Sequence, residues 1–275
     1  MKILLCTDGS AAARQAAQFS LLLARHGDAI RLLGVVEDHA GAERSIRTAL
    51  DRLGAELQVI GVECETKLRR GHAAEQILDE AAEWQADLIV IGQLGQRGLT
   101  RFSMGGTATR IVQYARCAVL LVKGARPALH KMLACTGGGR PGLRDVEVAG
   151  QLAAQTGAQV TVLHVMSQVA LTEKGYRPEL EAPASDLIGQ RTREGKHLAI
   201  ALQTLQALGV NCAAKVRHGL VVDEIVAETR DGNYDLLVIG AHAARGLTRW
   251  LLDDVTAHVL EESQVPVLVV RTIQK

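Results

Sequence analysis

Two stretches of this chain carry residue types at spacings that suit a small ligand. The first is Asp8-Gly9-Ser10, directly after the short apolar run Lys2–Thr7. The second is Gly92-x-x-Gly95, nine further residues, and Gly105-Gly106-Thr107. It lies between the apolar runs Asp87-Leu-Ile-Val-Ile91 and Cys117-Ala-Val-Leu-Leu-Val122. Glycines in such a turn let the backbone approach a ligand closely and adopt positive φ. A helix starting near Met104 would aim its free N–H groups at the same spot, which is the chemistry that holds phosphate. The same glycines also make a tight strand-to-helix turn with no ligand, and the pattern alone does not choose. Phosphate repels a carboxylate, so Asp8 belongs on the sugar or base side of any nucleotide held there. Its plainer role is as a turn or helix-capping residue, shared with Ser10. Arg97 and Arg101 in the glycine loop either neutralise phosphate or face solvent.

Other reactive side chains form no recognisable constellation. No nucleophile is spaced with a base. His72 follows Gly71 and His218 precedes Gly219, places that read as helix starts, so solvent or capping roles suit them. His164 lies in a strand and His242 in the loop after Gly240. The five cysteines show no Cys-x-x-Cys spacing, and Cys6, Cys64, Cys135 and Cys212 read as small buried hydrophobes. Dedicated catalysis has no support, and no metal ligand set is visible.

These residues must be positioned by alternating strands and helices. Strands are expected over 2–7, 29–36, 62–68, 87–91 and 118–122. Helices are expected over 11–24, 43–57, from Gly71 onward, and over 104–115. That alternation predicts an α/β layer fold with a mostly parallel sheet. The run at 88–91 has no polar alternation, as in a strand covered on both faces. Residues 123–130 read as a linker, after which the order restarts. Met132-Leu-Ala-Cys-Thr-Gly-Gly-Gly139 echoes Ile3-Leu-Leu-Cys-Thr-Asp-Gly-Ser10. Gly209-Val-Asn-Cys-Ala-Ala-Lys-Val216 echoes Gly61-Val-Glu-Cys-Glu-Thr-Lys-Leu68, and Asp235–Gly240 echoes Asp87–Gly92. Ala243-Ala-Arg-Gly-Leu-Thr-Arg249 echoes Gly95-Gln-Arg-Gly-Leu-Thr-Arg101. Echoes in matching order identify a tandem duplication. The halves are 1–123 and 131–275, the second carrying an insertion at 167–189 that reads as a surface loop.

Composition narrows the function classes. The chain has 275 residues, 48% hydrophobic and only 3% aromatic, so its core is built from small and branched aliphatics. A formal net charge of +1 gives no electrostatic reason to expect nucleic acid or an anionic membrane as partner. The basic pair Arg69-Arg70 reads as part of a solvated face. No apolar stretch reaches the length of a membrane span and no signal peptide is recognised, so a cytoplasmic location is expected.

The Asp after the first strand, the Gly-x-x-Gly with nine residues before the next glycine, and the ending Cys117–Val122 resemble the universal stress protein (UspA-like) family in its tandem form. The resemblance implies two Rossmann-like domains, each a five-stranded parallel sheet sandwiched by helices, packed as a pseudo-dimer through their last strands. Strands near 118–122 and 266–270 should then meet. Many members of that family bind ATP, and another branch does not. By resemblance, Thr7 and Asp8 meet the adenosine part and Val36 supplies a backbone contact to adenine. Gly92 and Gly95 lie near ribose and phosphate, and Gly105 is the third motif glycine. Gly106 stands where the family has Ser or Thr, a departure that removes a phosphate-binding hydroxyl. Thr107 follows it, and the backbone N–H groups of Gly106 and Thr107 remain. In the second half Gly137 replaces Asp8 and Ala243 the second glycine. Asp253-Asp254 takes the place of Gly105-Gly106, where two carboxylates at a helix N-terminus would cap it and repel phosphate.

The leading expectation is a stress-response or regulatory protein that binds ATP, with or without Mg²⁺, in its first half and presents a surface to an unidentified protein partner. One alternative is a structural or interaction protein of the same fold without nucleotide. A second is a slow ATPase. Pairing of the two halves is expected, and further dimerisation stays open.

Overall fold

Strand β1 (Lys2–Thr7) sits at the centre of the first sheet because its inward residues Ile3, Leu4 and Leu5 are all apolar and buried. The computed structural model describes residues 1–37, 42–93, 106–124, 126–166, 183–241 and 248–271, with the backbone alone at 42 and 248–254. The chain divides into two compact units: Met1–Pro127 with the final strand segment from Pro266, and Ala128–Val265.

In the first unit β1 pairs in parallel with β2 (Ala29–Val36) on one side and β4 (Leu88–Gly92) on the other. β3 (Cys64–Arg70) flanks β2, and β5 (Ala118–Val122) flanks β4, giving the order β3-β2-β1-β4-β5. β4 and β5 are nearly continuous apolar runs and are buried on both faces, as expected for parallel strands covered by helices. β3 carries Glu65, Lys67, Arg69 and Arg70, the charged pattern of a strand at a sheet edge. Helix α1 (Ala11–Leu21) follows β1 and shares a groove with α2 (Ala42–Val59). α3 (Ala73–Trp84) packs on α4 (Gly106–Tyr114). The last strand of the chain, β10 (Val267–Val270), pairs antiparallel with β5, with Val267 opposite Leu121 and Val269 opposite Val119. The two strands that the resemblance brings together therefore do meet.

A buried carboxylate ties α3 to the sheet. Glu80 is fully buried and receives Arg31 at 2.6 Å, Lys67 at 2.7 Å and Arg69 at 2.6 Å. Arg31 also stacks over Trp84, its guanidinium carbon 4.4 Å from the ring centre. This corrects the reading of Arg69-Arg70 as a solvated pair. Arg69 is 14% exposed and bonds Glu80 and Glu83, whereas Arg70 lies outside and reaches Glu43. The sequence missed the cluster because its members are spread from residue 31 to 83, and only the strand register of β2 and β3 brings them together.

The second unit repeats the plan with β6 (Lys131–Cys135), β7 (Gln159–Met166), β8 (Cys212–His218) and β9 (Leu236–Gly240), parallel in the order β9-β6-β7-β8. α5 (Gly139–Thr156) packs on α7 (Arg193–Ala207), and α8 (Val221–Asp231) on α9 (Thr248–Glu262). The buried carboxylate recurs as Glu228, with Lys215 at 2.6 Å and Arg217 at 2.9 Å. Here the Tyr234 hydroxyl, 2.9 Å away, supplies the third donor in place of a guanidinium.

Two expectations for this half change. The insertion is not all surface loop: residues 167–182 lie outside the described residues, but α6 (Ala184–Gly189) is a short helix with Ala184 and Leu187 buried. Its backbone lies so close to α7 that a Cβ at Gly195 would strike the Leu187 carbonyl, which is why α7 has a glycine in its first turn. The pair Asp253-Asp254 does not open a helix. α9 begins at Thr248, so both residues fall beyond its first turn, where carboxylates no longer complement the positive helix end. Among the described residues, no helix is long and apolar enough to cross a membrane.

Candidate functional site

The first unit runs outward from β1 to β2 and β3, then returns across the sheet to β4. Strand order reverses between β1 and β4. In open parallel sheets this reversal opens a crevice beyond the carboxyl ends of the strands. A cavity of about 430 Å³ occupies it, a size that suits a drug-sized or nucleoside-sized ligand.

Its floor is apolar, made by Leu33, Ile46, Ile77, Ile91 and Ile111. Its polar groups come from strand ends in a fixed order. Glu37 follows β2, Thr7 and Asp8 end β1, and Gly92 ends β4 with Thr107 in the first turn of α4 beside it. Neighbouring strands lie about 4.8 Å apart, so β2 to β4 spans about 10 Å. Both carboxylates in the lining, Asp8 and Glu37, lie on the β1–β2 side, and no Lys or Arg is among the described lining residues. The free N–H groups of α4 lie on the other side.

Local bonds explain each placement. Thr7 is buried and its hydroxyl accepts the Gly9 N–H at 3.1 Å. Asp8 is exposed, and its Oδ1 accepts the Ser10 N–H at 2.9 Å, closing a short turn. Ser10, not Asp8, caps α1, its hydroxyl accepting the Ala13 N–H at 3.1 Å. The Asp8 side chain is thereby left at the crevice. Gly9 has φ +82°, the left-handed conformation that this turn requires and glycine permits. Gly92 is glycine for a packing reason: a Cβ there would strike the Ala12 backbone at the start of α1. Gly106 is different. It is exposed, a Cβ would meet nothing within 4 Å among the described residues, and its φ is not in the left-handed range. Gly95 and Gly105 lie outside the described residues.

At β2 the backbone distinguishes Val36 from its neighbour. The Val36 carbonyl accepts the Gly71 N–H at 3.0 Å, on the β3 side. Successive residues of a strand turn their backbone groups to opposite edges, so the Val35 carbonyl turns toward β1. There pairing stops at Thr7 opposite Gly34, and Val35 lines the cavity while the Val36 side chain is buried. Glu37 was not singled out by sequence. It is exposed at the rim, and its Oε1 accepts the Ala73 N–H at 2.9 Å at the start of α3, where His72 gives no side-chain cap.

A sequence profile of the universal stress protein family matches residues 1–123 and again 128–271. The chain belongs to the universal stress protein family. A universal stress protein of Synechocystis is 29% identical over 96 residues, 34% of this chain and 62% of that protein, so the match spans under two thirds of that relative. One of Mycolicibacterium smegmatis is 26% identical over 240 residues, 83% of this chain and 75% of its own length. The crystal structure of a universal stress protein from Archaeoglobus fulgidus superposes with a TM-score of 0.74, covering 98% of each chain at 16% identity, a likeness of fold.

In the second universal stress protein repeat the corresponding crevice residues bond one another. Thr136 corresponds to Thr7, and its hydroxyl again accepts a turn N–H, from Gly138 at 3.2 Å. His164, in the place of Gly34, donates from Nδ1 to the Thr136 carbonyl at 2.9 Å. His197, in the place of Ala49, pairs through Nε2 with the Thr136 hydroxyl at 2.7 Å. Burial, with His164 nearby, holds the His197 imidazole below its ordinary pKa. Gly137 leaves no carboxylate at the position of Asp8, and Ala243 and His242 lie outside the described residues. His218 ends β8 and is half-buried, so it is not at a helix start as expected, while His72 is exposed at the N-cap of α3. All five cysteines are free, and of the four expected to be buried only Cys135 is, while Cys6, Cys64 and Cys212 are partly exposed; Cys6 lines the crevice, and burial pushes Cys117 up to about 11 and Cys6 and Cys135 higher still.

Proposed function

We propose that this universal stress protein binds one adenine nucleotide, ATP, in its first unit and acts as a regulatory stress-response protein. The observation that carries the reading is the ordered crevice: carboxylates at β2 and β1, then a glycine and a helix N-terminus at β4. A nucleotide laid across it puts the base at the end of β2, the ribose at Asp8, and the phosphates over Gly92 and the first turn of α4. The reverse orientation sets phosphates against Asp8 and Glu37 and is electrostatically unfavourable. In this reading Thr7 and Asp8 hold the ribose end, and the Val35 carbonyl takes the adenine contact assigned by resemblance to Val36. Gly92, Gly95, Gly105, Gly106 and Thr107 form the phosphate end. No group of three or more His, Cys, Asp or Glu among the described residues could hold a metal, so Mg²⁺ would arrive on the phosphates themselves. The second unit, with Gly137 for Asp8 and its crevice side chains bonded to each other, serves as scaffold. Protein partners bind elsewhere and read the ligand state.

Calorimetric titration of ligand-stripped protein with ATP and Mg²⁺ tests this. One site per chain, lost in Asp8→Ala with the melting temperature retained, is the expected result. Absence of heat and of any thermal shift at millimolar ATP refutes it and favours the interaction protein without nucleotide, for which the bare Gly106 argues.

A further inference from the structure

We propose that Glu37 makes the first-unit site selective for a 6-aminopurine over a 6-oxopurine. The inference rests on the nucleotide reading above and adds a specificity residue to it. The end of β2 is the base end of the crevice, since α4 takes the phosphates two strands away. At that end the cavity offers acceptors. The Val35 carbonyl turns into the crevice because Val36 is committed to Gly71. Glu37, two residues on, lines the same cavity, as does Ala73. The Glu37 Oε1 is fixed by the Ala73 N–H at 2.9 Å, so the carboxylate has a defined place at the start of α3. Among the described residues no hydrogen bond reaches Oε2. A backbone carbonyl and a carboxylate from one end of the same cavity are two acceptors, the match for an exocyclic amine with two N–H groups. A 6-oxo group would instead set a third acceptor against them, with no Lys or Arg among the described lining residues to relieve it.

The pair of probes is ATP and inosine triphosphate, which differ only in the amine or oxo group at position 6 and the proton at N1. Titration of stripped protein with each is expected to show ATP binding about tenfold or more tighter, the worth of one hydrogen bond to a charged group. In Glu37→Gln the amide keeps an acceptor for Ala73 and gains a donor for an oxo group. The ratio should then fall toward unity with the melting temperature unchanged. Glu37→Ala should weaken ATP and, by removing one opposing acceptor, tighten inosine triphosphate. A wild-type ratio near one, or a ratio unchanged in both variants while ATP still binds, overturns the inference and leaves the nucleotide reading standing. Binding of neither probe overturns both.

Discussion

Serine at position 106 should tighten nucleotide binding. Gly106 opens α4, where the proposed nucleotide would place its phosphates, and the resemblance puts a hydroxyl residue there. Among the described residues the site has room: a Cβ would meet no atom within 4 Å, and the backbone is not left-handed, so an L side chain enters without strain. In Gly106→Ser the hydroxyl lies beside the free N–H groups of the first turn, where an anionic phosphate oxygen would sit. A hydrogen bond to a charged group contributes about 1.5–3 kcal/mol when enclosed. Gly106 is exposed, so about 1 kcal/mol is the reasonable share, or roughly fivefold in Kd. Replacing glycine in a helix adds about 0.5 kcal/mol of stability on its own. Gly106→Ala separates the two effects, because it gains the helix term without the hydroxyl. The assay is titration calorimetry with ATP on the three proteins, with melting curves alongside. Serine binding about fivefold tighter than alanine, with both melting slightly higher than the parent, is expected. Equal affinities for serine and alanine refute the placement of phosphate over the start of α4.

Other consequences concern stability. Glu80→Ala should cost about 2 kcal/mol in urea unfolding, less than the roughly 3–5 kcal/mol of a wholly unpaired buried charge, because Arg31 and Arg69, 13% and 14% exposed, keep only the more exposed Glu65 and Glu83 while Lys67 at 37% can turn to water. Gly92→Ala should cost about 2–3 kcal/mol by driving a methyl into the Ala12 backbone, and it should do so in protein free of any nucleotide. The depressed imidazole of His197 makes stability fall on acidification. The unfolded chain takes up that proton first, near the ordinary 6.5, so the contribution is whole above that pH and is lost as pH falls toward the lower folded value. Melting temperatures of wild type and His197→Gln between about pH 7.5 and 5.5 check it, the variant showing the shallower slope.

The fold was legible in the sequence because burial writes itself locally. β2 and β5 fall at 29–36 and 118–122 as the apolar runs indicate, and β4 shows no alternation because helices cover both its faces. Boundaries moved where the signal was not apolar. β3 lies at Cys64–Arg70, two residues later than the alternation from Val62 suggests, because its last residues are set by charges pairing with α3 rather than by burial. The site was legible only in part. Asp8 and Gly92 announce themselves by type and place. Which of Val35 and Val36 turns its carbonyl toward β1 could not be read from the sequence, since it depends on the bond from the Gly71 N–H to the Val36 carbonyl on the β3 side. Glu37 looks like any surface glutamate until Ala73 is placed beside it.

Comparing the two repeats separates what the fold needs from what the site needs. The buried glutamate with a lysine and an arginine from the neighbouring edge strand occurs in both, as Glu80 and Glu228. Its third donor is exchanged, Arg31 for Tyr234, without loss of the carboxylate, because an unpaired buried charge is what neither repeat can tolerate. The turn built on Thr7 and on Thr136 is likewise shared, down to the same hydroxyl accepting the N–H two residues on. At the crevice the repeats part. Asp8, Gly34 and Ala49 in the first become Gly137, His164 and His197 in the second, one loss of a carboxylate and two gains of bulk. The enlarged side chains bond Thr136 from two directions, so the polar groups that face a cavity in the first unit face each other in the second. A strand-end threonine thus closes on neighbouring histidines in one repeat and stands beside an open crevice in the other, and the difference lies in three side chains rather than in the sheet that carries them.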